Sequence, residues 1–340
     1  MVIQMTHDVE LKVEGLKKYF PIKRGIRGIL KREPPRFVRA VDGISFEVRK
    51  KQVFALVGES GCGKTTTGKL IMKLVEPTDG KIILRGQDVS HLKSKEENLR
   101  YRKMVQMIYQ DPFSSINPRF RVYDVLEEPL IIHKIGNNRT EREDLIYRAL
   151  ELVRLTPPDE FISRFPHMLS GGQRQRVAIA RTMILNPEFV VADEPVSMLD
   201  VSIRAEILEL LRKLRDELGL TYLYITHDLS TARYFSDWIG VMYLGRIVEM
   251  GDVDRVIDNP LHPYTRALLE AVPEPEPERK EVIKSLPIKG EVPSAVNVPD
   301  GCRFHPRCIH AKTGVCDVIH PETVEFEHNH YVECHFAGKI

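Results

Sequence analysis

Residues 58–66 read Gly-Glu-Ser-Gly-Cys-Gly-Lys-Thr-Thr, and Gly58, Gly63, Lys64 and Thr65 satisfy the spacing G-x-x-x-x-G-K-[ST]. Glycines at that spacing let successive backbone N–H groups turn inward as an anion nest at a helix start, a cradle that Ser60, Gly61, Cys62 and Thr66 complete. Lys64 supplies a cation for β- and γ-phosphates, and the Thr65 hydroxyl a ligand for Mg²⁺. Such a loop needs a second magnesium contact and a group that activates water. "FVVADEP" offers both, because an apolar run ends in Asp193 and Glu194 follows at once. Two acids closing a strand are also an ordinary turn; beside a phosphate loop the functional reading is the stronger one. His227 closes "TYLYITH", at what would be the ligand-facing edge of an open α/β sheet, although a single His there is more often structural. A second device is "MLSGGQRQR" at 168–176, whose glycine pair suits a helix interior poorly and an anion at a helix start well.

The elements that must position these groups follow from pattern. "VDGISFEV" and "QVFALVG" read as strands, the second running into the phosphate loop, with a helix over "GKTTTGKLIMKLVE" and a strand at "GKIILRG". From about 111 to 182 the chain reads as a helical insertion that includes "EREDLIYRALELVRL" and ends in the helix after "LSGGQ". Strands resume at "EFVVADEP" and "TYLYITHD", with the helix "IRAEILELLRKLRDELG" between them. The sum is an α/β core with a helical insertion. After Asn259 a short helix gives way to a Pro/Glu-rich linker, so a boundary is read there: 1–259 for the core, 260–340 for an extension.

Composition narrows the setting. Fifty basic against 48 acidic residues give a net charge of +2, which does not argue for nucleic acid. No apolar run is long enough to span a bilayer, and the start "MVIQMTHDVE" lacks the form of a signal peptide; a cytoplasmic chain is expected. Five cysteines in such a chain do not suggest a disulfide framework.

On these strings the chain resembles the nucleotide-binding subunit of ATP-binding-cassette (ABC) transporters. "GESGCGKTT" matches the Walker A motif, Gln110 in "VQMIYQDP" the Q-loop, and "LSGGQ" the signature. "FVVADE" matches the Walker B motif, "SMLD" the D-loop, and His227 the switch histidine. The resemblance implies a P-loop NTPase core with an antiparallel β subdomain, which binds ATP and Mg²⁺. It also explains why one chain carries two anion devices: in this family each signature closes over the nucleotide held by the partner's Walker A. Carried over, Glu194, His227 and Gln110 would be catalytic, with Mg²⁺ held by Thr65, Gln110 and Asp193. Ser170, Gly171, Gly172 and Gln173 would grip a γ-phosphate in trans, Asp200 would cross the dimer interface, and Tyr19 would stack on adenine with Phe20 as its rival. One departure is the turn before the Walker A strand, usually Lys-Gly-Glu and here Lys50-Lys51-Gln52, which puts that turn's backbone in question.

"QDPFSSINPR", "GGQRQR", "NPLHPYTRALLEAVPEP" and the tail "GCRFHPRC…C…CHF" further resemble ATPases of oligopeptide/dipeptide importers. The implied function is ATP-driven import of such peptides, with oligosaccharide import by the same machinery as the alternative and a soluble, non-transport ABC ATPase as the more distant one. The implied partners are two transmembrane permease subunits, a second related ATPase and an external solute-binding protein, with the chain peripheral on the cytoplasmic face of the membrane. The basic cluster Lys23, Arg24, Arg27, Lys31, Arg32 and Arg36 suits anionic lipid, permease or plain solvent. In the tail, Cys302, Cys308, Cys316 and Cys334 stand with five, seven and seventeen residues between them. Four thiolates in a segment too short for its own core suit a tetrahedral zinc, with His305, His310 or His335 as substitute ligands, or a [4Fe–4S] cluster. Reduced thiols without metal are the plain alternative. The subfamily resemblance favours the cluster, as a structural element.

Overall fold

The computed structural model describes residues 9–24, 34–271 and 288–339. Arg27, Lys31 and Arg32 of the basic cluster, and the linker at 272–287, lie outside the described residues. The chain divides into two compact units, one built mainly from His91–Ile225 with Val48–Val53, the other from Leu11–Glu47, Phe54–Ser90 and the chain from Thr226 onward.

In the first unit the strands Thr221–Thr226, Phe189–Asp193 and Val105–Ile108 run parallel, in that spatial order. Every residue of the first two is buried, which is why they read as unbroken apolar runs rather than as an alternation. Helices surround them. Lys95–Met104 starts on a reciprocal cap between Ser94 and Glu97. Arg139–Leu152, the amphipathic run of the sequence, is capped by Asn138 and buries Ile146, Ala149 and Leu150. Val201–Leu218 stops at Gly219, whose φ of 69° is the left-handed conformation that closes helices.

The questioned turn belongs to this unit. Lys51 takes the left-handed conformation a glycine would have taken, with φ 60°. Its N–H donates to Thr221 Oγ1 at 3.0 Å, and Gln52 Oε1 accepts from the Arg49 N–H at 2.9 Å. A non-glycine residue there costs roughly 1 kcal/mol, which these two hydrogen bonds can offset.

The second unit holds an antiparallel sheet and part of the core. Val9–Pro21 lies between Phe37–Arg49 and Asp79–Leu84, with Gln87–Asp88 on the outer edge. Gly15 sits at an irregularity in the register, where its carbonyl oxygen would lie 2.4 Å from any Cβ placed on Gly80, so the facing position must be glycine. Val53–Val57, buried throughout, pairs in parallel with Trp238–Tyr243. Arg246–Asp252 follows antiparallel, and the tail then adds two strands of its own, His330–Val332 and Val324–Glu327. The extension from residue 260 therefore packs within this unit. Leu261, Val332 and Ala337 form a small apolar cluster with Cys334 against it. A segment with so little apolar surface cannot fold on a core of its own, and pairing to an existing strand edge satisfies its backbone.

Candidate functional site

The residues read as functional fall in both units. Tyr19, the loop 58–66, His227 and the four tail cysteines belong to the second; Gln110, the 170–173 string, Asp193, Glu194 and Asp200 to the first.

In the second unit the loop follows the buried strand Val53–Val57 and opens the helix Lys64–Ile71. Its glycines are required sterically. A Cβ on Gly58 would lie 2.2 Å from the Met242 carbonyl oxygen, and one on Gly63 2.1 Å from that of Ala40; both also have positive φ. Lys64 curls over its own loop, donating to the carbonyls of Gly58 (2.7 Å) and Glu59 (3.0 Å). A bound polyphosphate would offer this ammonium stronger acceptors than those carbonyls. Cys62 is buried beneath it; burial pushes its thiol up, with Lys64 working in the opposite direction. Tyr19 donates its hydroxyl to Asp42, and Arg39 lies 5.9 Å from the ring centre. Burial, then the Asp42 hydrogen bond, push the Tyr19 hydroxyl up to about 12. Burial works against charge on Asp42, but Tyr19 and Arg303 outweigh it and hold the carboxyl below its usual range.

In the first unit two predicted residues touch. Gln110 Nε2 donates to Glu194 Oε2 at 2.9 Å. Glu194 directly follows the buried strand that ends in Asp193, and it takes a left-handed φ of 46° while its N–H donates to the Ile225 carbonyl at 2.8 Å. The strained turn and the Gln110 hydrogen bond together fix this carboxylate at the end of the strand. Such a fixed carboxylate can orient or deprotonate a water.

Ser170 and Gln173 form a reciprocal cap on the helix Gly171–Met183: the Gln173 N–H donates to Ser170 Oγ, and the Ser170 N–H to Gln173 Oε1. A Cβ on Gly172 would meet Ile203 at 2.8 Å, so this glycine also lets the helix start pack on Val201–Leu218. Asp200, exposed, takes the N-cap position of that helix without a side-chain cap. Two residues that the motif string contains without a role turn out to hold it in place. Buried Arg174 donates to the carbonyls of Pro166 and Leu169, and buried Gln175 to that of Pro195, one residue past Glu194. Their signal was weak, since a polar residue in a helix is ordinarily solvated.

The four tail cysteines line one small cavity, with His262, His305, His310 and His335 at its margin. Burial pushes Cys302 up to about 12 and Cys334 to about 11, and neighbouring cysteines add to both. His305 and His335 engage the backbone carbonyls of Cys302 and Ile319. Among the described residues no group of three or more His, Cys, Asp or Glu is arranged to hold a metal ion. Neither a zinc nor a [4Fe–4S] cluster therefore gains support from the arrangement of these thiols.

The family profile "ABC transporter" matches residues 41–197, and "Oligopeptide/dipeptide transporter, C-terminal region" matches 248–316. The chain is 45% identical over 325 residues to the oligopeptide transport ATP-binding protein AppF of Bacillus subtilis, covering 96% of each. It is 44% identical over 318 residues to the dipeptide transport ATP-binding protein DppF of Escherichia coli, covering 93% of this chain and 91% of that one. Among solved structures it resembles the ATP-binding cassette MJ0796, a dimer in a post-hydrolysis state bound to ADP and Pi. That match has 28% identity and a TM-score of 0.61, covering 72% of this chain and 98% of that one.

Proposed function

This chain belongs to the ABC transporter family, among the ATP-binding subunits of oligopeptide and dipeptide transporters, and from that premise we propose that its ATPase activity drives peptide import through a membrane permease. The observation that carries the reading is the contact between Gln110 and Glu194 at the end of the Asp193 strand, in a chain whose phosphate loop is also intact. A degenerate, purely structural subunit would have no need to hold that carboxylate in a strained turn.

The residue roles are proposals supported by the motifs and by side-chain chemistry. Lys64 exchanges its carbonyl partners for β/γ-phosphate oxygens, and the loop amides receive the remaining charge. Tyr19 offers its ring face to adenine. Glu194 orients the attacking water, with Gln110 fixing its carboxylate and His227 steadying the γ-phosphate. When bound, Mg²⁺ neutralises phosphate charge; Thr65, Asp193 and Gln110 carry the oxygen donors suited to it. Ser170, Gly171, Gly172 and Gln173 present a capped helix start to the nucleotide of a second ATPase subunit, with Asp200 beside them, a reading that the dimeric MJ0796 structure supports. No helix among the described residues is long and apolar enough to cross a membrane. The relatives' role as transport ATP-binding proteins supports a peripheral subunit on separate permeases fed by a solute-binding protein. In the tail, Cys302, Cys308, Cys316 and Cys334, which line one cavity, would be the residues to hold a [4Fe–4S] cluster, a reading supported by the subfamily resemblance and not by an arranged metal site. Anaerobic purification with iron and sulfide analysis tests it, and iron-free protein with four titratable thiols rejects it.

The test of the function is reconstitution with two permeases, the second ATPase and the solute-binding protein in vesicles. Peptide should stimulate ATP hydrolysis and accumulate inside; stimulation by oligosaccharide and not by peptide would overturn the substrate class.

A further inference from the structure

The seven residues Cys302-Arg303-Phe304-His305-Pro306-Arg307-Cys308 carry two buried arginines, and both reach residues of the nucleotide-binding elements. Arg307 makes a two-pronged ion pair with Glu59, the second residue of the phosphate loop: Nη1 to Oε2 at 2.7 Å and Nη2 to Oε1 at 3.1 Å. Its side chain is only 5% exposed, against 28% for Glu59. Its guanidinium also lies 5.8 Å from the ring centre of Tyr243 and 6.0 Å from that of Phe304. Phe304, itself buried, wedges among Tyr243, Tyr264 and His262, which fixes the segment between the arginines. Tyr264 in turn takes the Glu59 N–H on its hydroxyl at 2.9 Å, while the Glu59 carbonyl accepts from Lys64. Glu59 is therefore held at its side chain and its N–H from elements more than 200 residues away, and its carbonyl bears on the loop lysine.

A buried ion pair adds little net stability compared with an apolar substitute, so anchoring the tail does not by itself require a charge here. Binding does supply a reason. A carboxylate in a loop that must receive a triphosphate opposes that anion unless it is neutralised and turned aside. We infer that Arg307 is a positioning residue for ATP binding: it draws the Glu59 carboxylate toward the tail and cancels its charge, so that the cysteine-rich extension forms one wall of the nucleotide site. The inference rests on the nucleotide reading of the loop.

The experiment measures MgATP affinity of the full chain by displacement of a fluorescent ATP analogue. Arg307→Gln should weaken binding about tenfold, the worth of one charge-assisted contact. That deficit should shrink between 0.05 and 0.5 M salt, as screening requires. Arg307→Gln with Glu59→Gln should return to within about threefold of wild type, because the opposing charge is gone and a paired polar replacement is nearly neutral. If the single variant misfolds, the double variant still decides through its own affinity. In the assembled transporter the loss should fall on KM for ATP more than on kcat. Unchanged affinity in a less stable Arg307→Gln protein, or a double variant that binds at least tenfold more weakly than wild type, would overturn the inference alone. Wild-type chain that binds no MgATP would overturn the nucleotide reading as well.

Discussion

The unit that carries Glu194 and the unit that carries Lys64 hold their functional groups in different ways. In the first, the supports come mainly from the same unit's strand ends and helix caps: Gln110 on Glu194, Ser170 on Gln173, Gln175 on Pro195. In the second, the loop is shaped by its own glycines but braced by the tail, with Arg307 on Glu59 and Arg303 on Asp42, 248 and 261 residues apart in sequence. The difference separates two tasks. Where a group acts on a water, a local turn fixes its direction. Where a loop receives a highly charged ligand, the surrounding charge must be balanced, and the balancing groups can come from anywhere in the chain.

If that division is right, the first unit governs the rate of hydrolysis and the second governs affinity. The largest effect expected is from Glu194→Gln, which should lower ATP turnover of the assembled transporter about 10²–10⁴-fold while MgATP affinity stays near wild type. Affinity falling in step with turnover would break the comparison. Lys64→Ala should weaken MgATP binding about 10–100-fold, the worth of a hydrogen-bonded cation, read by equilibrium titration; a pure rate defect would contradict it. Arg303→Gln should act through Asp42 and Tyr19 and weaken ATP about three- to fivefold, with a similar change for analogues that keep the adenine. Affinity for inorganic triphosphate, which has no base to stack, should be nearly unaffected, and an equal loss there would remove the adenine-side role. The smallest effect expected on affinity is that of Ser170→Arg. It should leave ATP binding by the isolated chain within about twofold, since its hydroxyl is used by its own helix cap, while cooperative hydrolysis with the second ATPase is lost. Loss of binding to the single chain would show that the signature serves its own unit.

Much of the first unit was legible because its signals are local. The helix after the Ser170 string, the apolar runs ending at Asp193 and Thr226, and the helix 201–218 closing on a glycine each carry their cause within a few residues, whereas the caps Ser94–Glu97 and Ser170–Gln173 emerged only in the fold. The loop glycines were legible for the same reason, although what they avoid, the carbonyls of Met242 and Ala40, was not. The turn at Lys51 read as an irregularity, and its hydrogen bond to Thr221 was visible only once folded. Nor did any pattern announce that Val324–Glu327 and His330–Val332 extend a sheet edge, since these strands are short and the first is exposed throughout.

By itself, then, the sequence determined the phosphate loop, the acids Asp193 and Glu194 at the end of their strand, the helices after the phosphate loop and after Ser170, and the four-cysteine tail. Each depends on backbone conformation or residue chemistry that a short window already contains. Only the tertiary structure decided which charges meet: Arg307 with Glu59, Arg303 with Asp42, Arg246 with Glu333. In a linear string a charged residue is most simply read as solvated. Whether it is instead buried against one carboxylate depends on the chain path that brings the two together, and no local interaction specifies that path.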